Sequence, residues 1–182
     1  PAASLTAALA VAMHWRTERR RDAVRKLLKF LHIIGAIGLM GAMASLLVLL
    51  SFAPPPTSLD GYALVRGAMG AIATWIFLPS LGLTLIAGLL AIAFNSGFHN
   101  AGWAWVKAAS GILVFESGFV GVLGPMQREA ERSGKALAGE IDPATLAMSL
   151  GAERGTLWIL LVVAAANVVL GVWRPRLPRL PR

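Results

Sequence analysis

The chain has 182 residues, of which 57% are hydrophobic and only 14% charged, against about a quarter charged in a typical soluble domain. Its mean hydropathy of +0.68 points to a membrane protein. The net charge of +8 does not mark a nucleic-acid surface, because the basic residues gather at the two ends. There is no cysteine, which excludes disulfides, thiolate metal sites and cysteine nucleophiles.

The first segment, residues 1–26, reads as a basic leader. Its opening dozen residues are apolar and end in Ala10-Val11-Ala12, a cleavage-like triplet. A signal peptide carries positive charge ahead of its apolar core, and here the charge follows it. The expectation is that the native start lies near Met13. Arg16, Arg19, Arg20, Arg21, Arg25, Lys26 and Lys29 then lead into the first apolar stretch.

A bilayer span needs about 20 predominantly apolar residues, and four stretches qualify: 27–52, 62–94, 103–123 and 156–173. Within hydrocarbon every backbone polar group must be satisfied internally, so these are expected to be helices. The expected fold class is an all-α, polytopic membrane four-helix bundle. Span one is rich in small residues, among them Gly35, Gly38, Gly41, Ala42 and Ser45. Small residues allow close helix contact where no hydrophobic effect drives association, or they make room for a flat ligand. Ala53-Pro54-Pro55-Pro56 should stop the helix. Ser58 or Asp60 is a candidate cap for span two. Pro79 should kink that span, with Thr74, Ser80 and Thr84 compensating the freed carbonyls. A short polar turn, 95–102, makes spans two and three antiparallel neighbours.

Span three opens with Trp103 and Trp105 at interfacial depth and is expected to end at Gly124-Pro125. The loop 124–155 should hold an amphipathic helix near 126–137 and a second start at Asp142-Pro143, with Asp142 as cap. Span four leads to a basic, proline-rich tail, 174–182, expected to be extended.

Lys and Arg beside spans mark the cytoplasmic side. Both basic ends are therefore expected in the cytoplasm, with the mixed-charge loop 124–155 outside. The bilayer is the principal partner, with anionic lipids at the basic ends. Further partners would be other membrane proteins or copies of the chain.

Ionisable residues inside spans are costly and mark candidate sites. His32, Lys107 and Asn167 fall at similar depth, in one layer of the cytoplasmic half. Glu116 lies roughly 13 Å beyond Lys107 and half a turn around the helix, so the two cannot pair. Arg66 of span two is the expected partner in a buried Glu116–Arg66 ion pair. His14 is expected to be solvated, and His99 belongs to the polar turn. No phosphate loop, dinucleotide fingerprint or paired-histidine zinc motif is present.

Lys29-Phe30-Leu31-His32-Ile33-Ile34-Gly35, Trp103-Ala104-Trp105-Val106-Lys107, Arg154, and Arg174-Pro175 together resemble a bacterial superfamily of small four-helix membrane proteins. That superfamily includes HemJ-type protoporphyrinogen oxidases, copper-resistance D proteins and uncharacterised relatives. The resemblance covers about residues 26–175 and implies a multi-pass protein of the bacterial inner membrane. It makes His32 the expected axial ligand, and hence the metal-binding residue, of a haem b. Two places depart from the pattern. Gly38-Leu39-Met40-Gly41 stands where the family is Trp-rich, and Phe115-Glu116-Ser117 stands where the HemJ type has a histidine.

Three functions compete. The first is haem b or porphyrin binding for membrane redox chemistry, with His32, Lys107 and Asn167 around the cofactor. The second is copper transport, with Met40 and Met43 as soft donors. The third is a non-catalytic accessory or assembly subunit of a larger membrane complex, with no cofactor.

Overall fold

The computed structural model describes the backbone of residues 2–99, 101–146 and 150–173, and their side chains except at 2–14, 17, 96 and 99. The tail 174–182 and the side chains of His14 and His99 lie outside the described residues. Every regular element among the described residues is helical, and four rods are long and apolar enough to cross a membrane. The chain is thus a small, multi-pass integral membrane protein.

Helix α1 runs unbroken over Ala2–Phe52, about 75 Å at about 1.5 Å per residue. The described part of the basic leader is therefore helical and continuous with the helix of span one. Its Arg, Lys, Glu, Ala and Leu residues are good helix formers, and nothing interrupts them before the prolines at 54–56. Helix α2 (Leu59–Ile72) passes through a π-turn (Ala73–Phe77) into α3 (Leu78–Ala93). Ser58 occupies the N-cap position of α2, but no side-chain hydrogen bond forms there. A one-turn helix α4 (Ser96–His99) leads to α5 (Gly102–Gly118). A second π-turn (Phe119–Leu123) joins α5 to α6 (Gly124–Leu137). The Pro143–Thr145 3₁₀ turn begins as expected, with Asp142 accepting from the Ala144 N–H at 2.9 Å. Helix α7 spans Gly151–Trp173.

The expectation that helix three ends at Gly124-Pro125 is therefore corrected: the helical rod runs on to Leu137. The amphipathic helix of 126–137 exists, but it is stacked end to end on the span. The physical reason is the π-turn. Proline lacks an N–H and clashes with the preceding turn, so the ladder must loosen just before it. Gly124, the residue before Pro125, donates its N–H back five residues to Phe119 O. Leu78, the residue before Pro79, does the same to Ala73 O. Both prolines are absorbed by one device, at matching levels of adjacent rods. Thr74 and Thr84 instead donate to the carbonyls of Gly70 and Ser80, four residues back.

Helix α1 packs against α3 and α7, and α5 also packs against α3 and α7, closing a ring. Beyond the ring, α2 and α6 pair. There Gly70 lies so close to α6 that a Cβ would come within 2.7 Å of the Ala130 Cβ. We call the end carrying this pair the loop face, and the opposite end, where α7 finishes, the terminal face. The core of Leu39, Met43, Leu46, Leu50, Met69, Phe77, Leu81, Val122, Met126 and Leu157 fills the middle and loop-face half. Lipid is as apolar as leucine, so this packing stabilises through dispersion and close fit, not through removal from water. The terminal-face half holds a cavity instead.

Candidate functional site

The buried stripe of α1 runs Leu28, Gly35, Leu39, Met43, Leu46 and Leu50, at steps of three, four or seven residues. His32 falls on the same stripe, so its imidazole turns inward. Gly35, one turn further on, lets α3 come close. A Cβ there would meet Thr84 Oγ1 at 2.5 Å and the Thr84 backbone N at 2.9 Å. That approach brings the Thr84 carbonyl to 2.8 Å from His32 Nδ1. A carbonyl can only accept, so Nδ1 carries the proton and Nε2 keeps the lone pair of the neutral ring. Gly88 completes the seat, since a Cβ there would lie 3.2 Å from His32 Nδ1 and Cε1. The glycines of span one thus serve close packing at Gly35 and Gly38, both against α3, while Gly41 faces open space.

His32 lines a cavity of about 620 Å³ between the four helices, together with Lys107 and Asn167. The three residues expected in one layer do come together. The remaining wall is mostly aliphatic, including Leu39, Leu81, Leu85 and Val114, and Arg25 and Lys29 stand at the terminal-face end. A cavity this size falls within the roughly 300–1,000 Å³ of cofactor and small-molecule sites. Lys107 Nζ reaches across to α7, where a Cβ on Gly171 would come within 2.8 Å of it. Asn167 accepts from Ser110 Oγ at 2.8 Å and donates to Val163 O at 3.0 Å. Its first role is therefore to tie α5 to α7 beside the cavity. Met40 lines the cavity, whereas Met43 is sealed in the core.

The expected Glu116–Arg66 pair does not form. Arg66 is 0% exposed and donates through Nη1 to Glu153 Oε2 at 2.8 Å. Its Nε donates to the Tyr62 hydroxyl at 3.2 Å, and that hydroxyl donates to Glu129 Oε1 at 2.7 Å. The guanidinium carbon stands 5.3 Å from the Tyr62 ring centroid, within cation–π range. Among the described residues Arg66 Nη2 has no hydrogen-bond partner. This cluster joins α2, α6 and α7 at the loop face, while Glu116 is exposed on the outside of α5. The reason is register: Arg66 lies only two turns into α2, level with the loop-face ends of α6 and α7, and Glu116 lies deeper.

Sequence reasoning missed Tyr62, Glu129, Glu153 and Thr84. Two signals were available. Tyr62 and Arg66 are four apart on one helix, hence neighbours. Glu129 shares the buried stripe of Met126, Ser133 and Ala136 on α6. Glu153 and the Thr84 carbonyl carried no such signal, since both depend on how separate rods pack. Arg154 is exposed and reaches Leu50 O at 3.2 Å, fastening the start of α7 to the end of α1.

No protein-family model matches this chain, and neither does any curated protein or solved structure.

Proposed function

We propose that the cavity beside His32 binds haem b or a related porphyrin for membrane redox chemistry, in a protein of the four-helix superfamily that the sequence resembles. The observation that carries this reading is the His32 Nδ1–Thr84 O hydrogen bond, 2.8 Å long. An outer-shell carbonyl of this kind fixes the tautomer and orientation of a metal-ligating imidazole. It leaves Nε2 as an imidazole donor on the cavity wall.

The donor set fits a metal carried in a macrocycle better than a bare ion. Among the described residues no group of three His, Cys, Asp or Glu could hold a metal. A porphyrin brings its own four nitrogens and needs only axial ligation. The copper reading finds less support, because Met40 sits about 12 Å along α1 from His32 and Met43 is walled into the core. Here His32 would ligate the iron, the aliphatic wall would cover the ring faces, and Lys107 would face a ring carboxylate. Arg25 and Lys29 would meet further negative charge at the mouth. When bound, haem supplies one-electron redox chemistry; the protein supplies the ligand, the dry wall and the cations.

In this reading the terminal face is cytoplasmic, in a bacterial inner membrane, with the basic start of α1 against anionic lipid. The test is the visible spectrum of the detergent-purified protein, with and without haem reconstitution. A Soret band that His32→Ala abolishes and His99→Ala leaves intact is the expected result. A wild type that stays colourless after reconstitution would sink the haem reading and favour an accessory subunit. Copper retention without a porphyrin would favour transport. Reporter fusions after residue 95 should read cytoplasm and fusions near 135 the outside; the opposite pattern would invert the topology.

A further inference from the structure

Glu116 is exposed on the lipid-facing side of α5, yet it lies deep within the span. Gly121 packs against Thr156 of α7, since a Cβ on it would meet Thr156 Cγ2 at 3.0 Å. Ser110 bonds Asn167 of the same helix. Glu116 lies between these two levels, about 8 Å from the first and about 9 Å from the second at about 1.5 Å per residue. Its surroundings are those of a lipid boundary: Leu113 is 62% exposed, Val120 67%, Ile159 65% and Val162 63%. The carboxylate opens into a shallow groove of about 470 Å³ between α5 and α7, lined by Ser117, Val120, Gly121, Thr156 and Ile159. Among the described residues Glu116 has no ion-pair or hydrogen-bond partner.

A carboxylate in this position is costly in hydrocarbon, and intramembrane ionisable groups almost always face protein or a water-filled cavity. Among the described residues no cation meets it. Arg66 is fully buried against Glu153, and Lys107 lines the cavity in the terminal-face half. A second copy would set carboxylate against carboxylate. We propose that the α5–α7 groove docks a transmembrane helix of a different protein, whose Lys or Arg side chain pairs with Glu116. The groove beside Glu116 and Ser117 would take that helix, and Val120 and Ile159 give it an apolar rim. The proposal is independent of the haem reading, because the groove and the cavity lie on different faces and levels of the bundle.

The experiment uses the full chain in phosphatidylcholine vesicles, with a donor dye on an Ala138→Cys variant, which carries the chain's only thiol. The probe is a synthetic poly-leucine transmembrane peptide with one lysine at the depth of Glu116 and an acceptor dye; a second peptide has leucine in place of that lysine. Energy transfer should report association at least tenfold tighter for the lysine peptide, and Glu116→Gln should remove that preference while the helical circular dichroism stays unchanged. Equal association of the two peptides, or a preference that survives Glu116→Gln, overturns the proposal. So does efficient disulfide cross-linking of Val120→Cys into a homodimer, which would show that a second copy occupies the groove.

Discussion

Arg66→Leu removes the centre of the loop-face cluster and leaves Glu153, whose side chain is only 14% exposed, without its guanidinium. Breaking a buried pair from one side costs about 3–5 kcal/mol, because a charge remains uncompensated. Glu153→Leu does equivalent damage from the other side: it leaves Nη1 unpaired beside an Nη2 that already lacks a partner. The double replacement behaves differently. Replacing a buried pair by apolar residues is often neutral or stabilising, and Glu129 keeps the Tyr62 hydroxyl at 2.7 Å and Arg132 Nη1 at 3.7 Å. The double variant should therefore lose no more than about 1 kcal/mol against a sum of about 6–10 kcal/mol for the two single variants, a coupling energy of at least about 5 kcal/mol in a double-mutant cycle. Unfolding free energies measured by steric trapping in bicelles would supply the four corners of the cycle. If the double variant loses the sum of the two single losses, the residues act independently and the argument from a buried pair is wrong.

Gly35→Ala should destabilise by about 1–3 kcal/mol through overpacking, because the new methyl meets the Thr84 backbone; Gly41→Ala, with nothing within 4 Å, should stay within about 0.5 kcal/mol in the same unfolding assay. If the haem reading holds, Gly35→Ala should also broaden or weaken the Soret band, since it moves the carbonyl that orients His32. Asn167→Leu should cost about 0.6 kcal/mol, the average for interhelical hydrogen bonds in a membrane protein, because Ser110 retains Lys107 O at 3.1 Å; a loss above about 2 kcal/mol would show that the α5–α7 tie carries more than this bond. Glu116→Gln should leave the stability of the isolated protein within about 0.5 kcal/mol, and a large loss would mean that the carboxylate has a partner inside its own chain.

Single-helix properties were legible in the residues. Four apolar runs of sufficient length, a proline triplet and an Asp142-Pro143 start each act within a few residues of chain, so span number, the end of α1 and the 3₁₀ cap follow from local chemistry. The common layer of His32, Lys107 and Asn167 was also legible, because depth in a membrane is a count of residues from the basic or aromatic boundary. Azimuth was not. Which face of α5 carries Glu116, which carboxylate meets Arg66, and whether Gly124-Pro125 ends a helix or is absorbed by a π-turn all depend on the rotation of rods about their axes. Lipid is as apolar as the core, so hydrophobicity marks a span without marking its inner face. Only the packed bundle, through the seats made by Gly35, Gly70 and Gly88 and the cluster of Tyr62, Arg66, Glu129 and Glu153, decided those rotations.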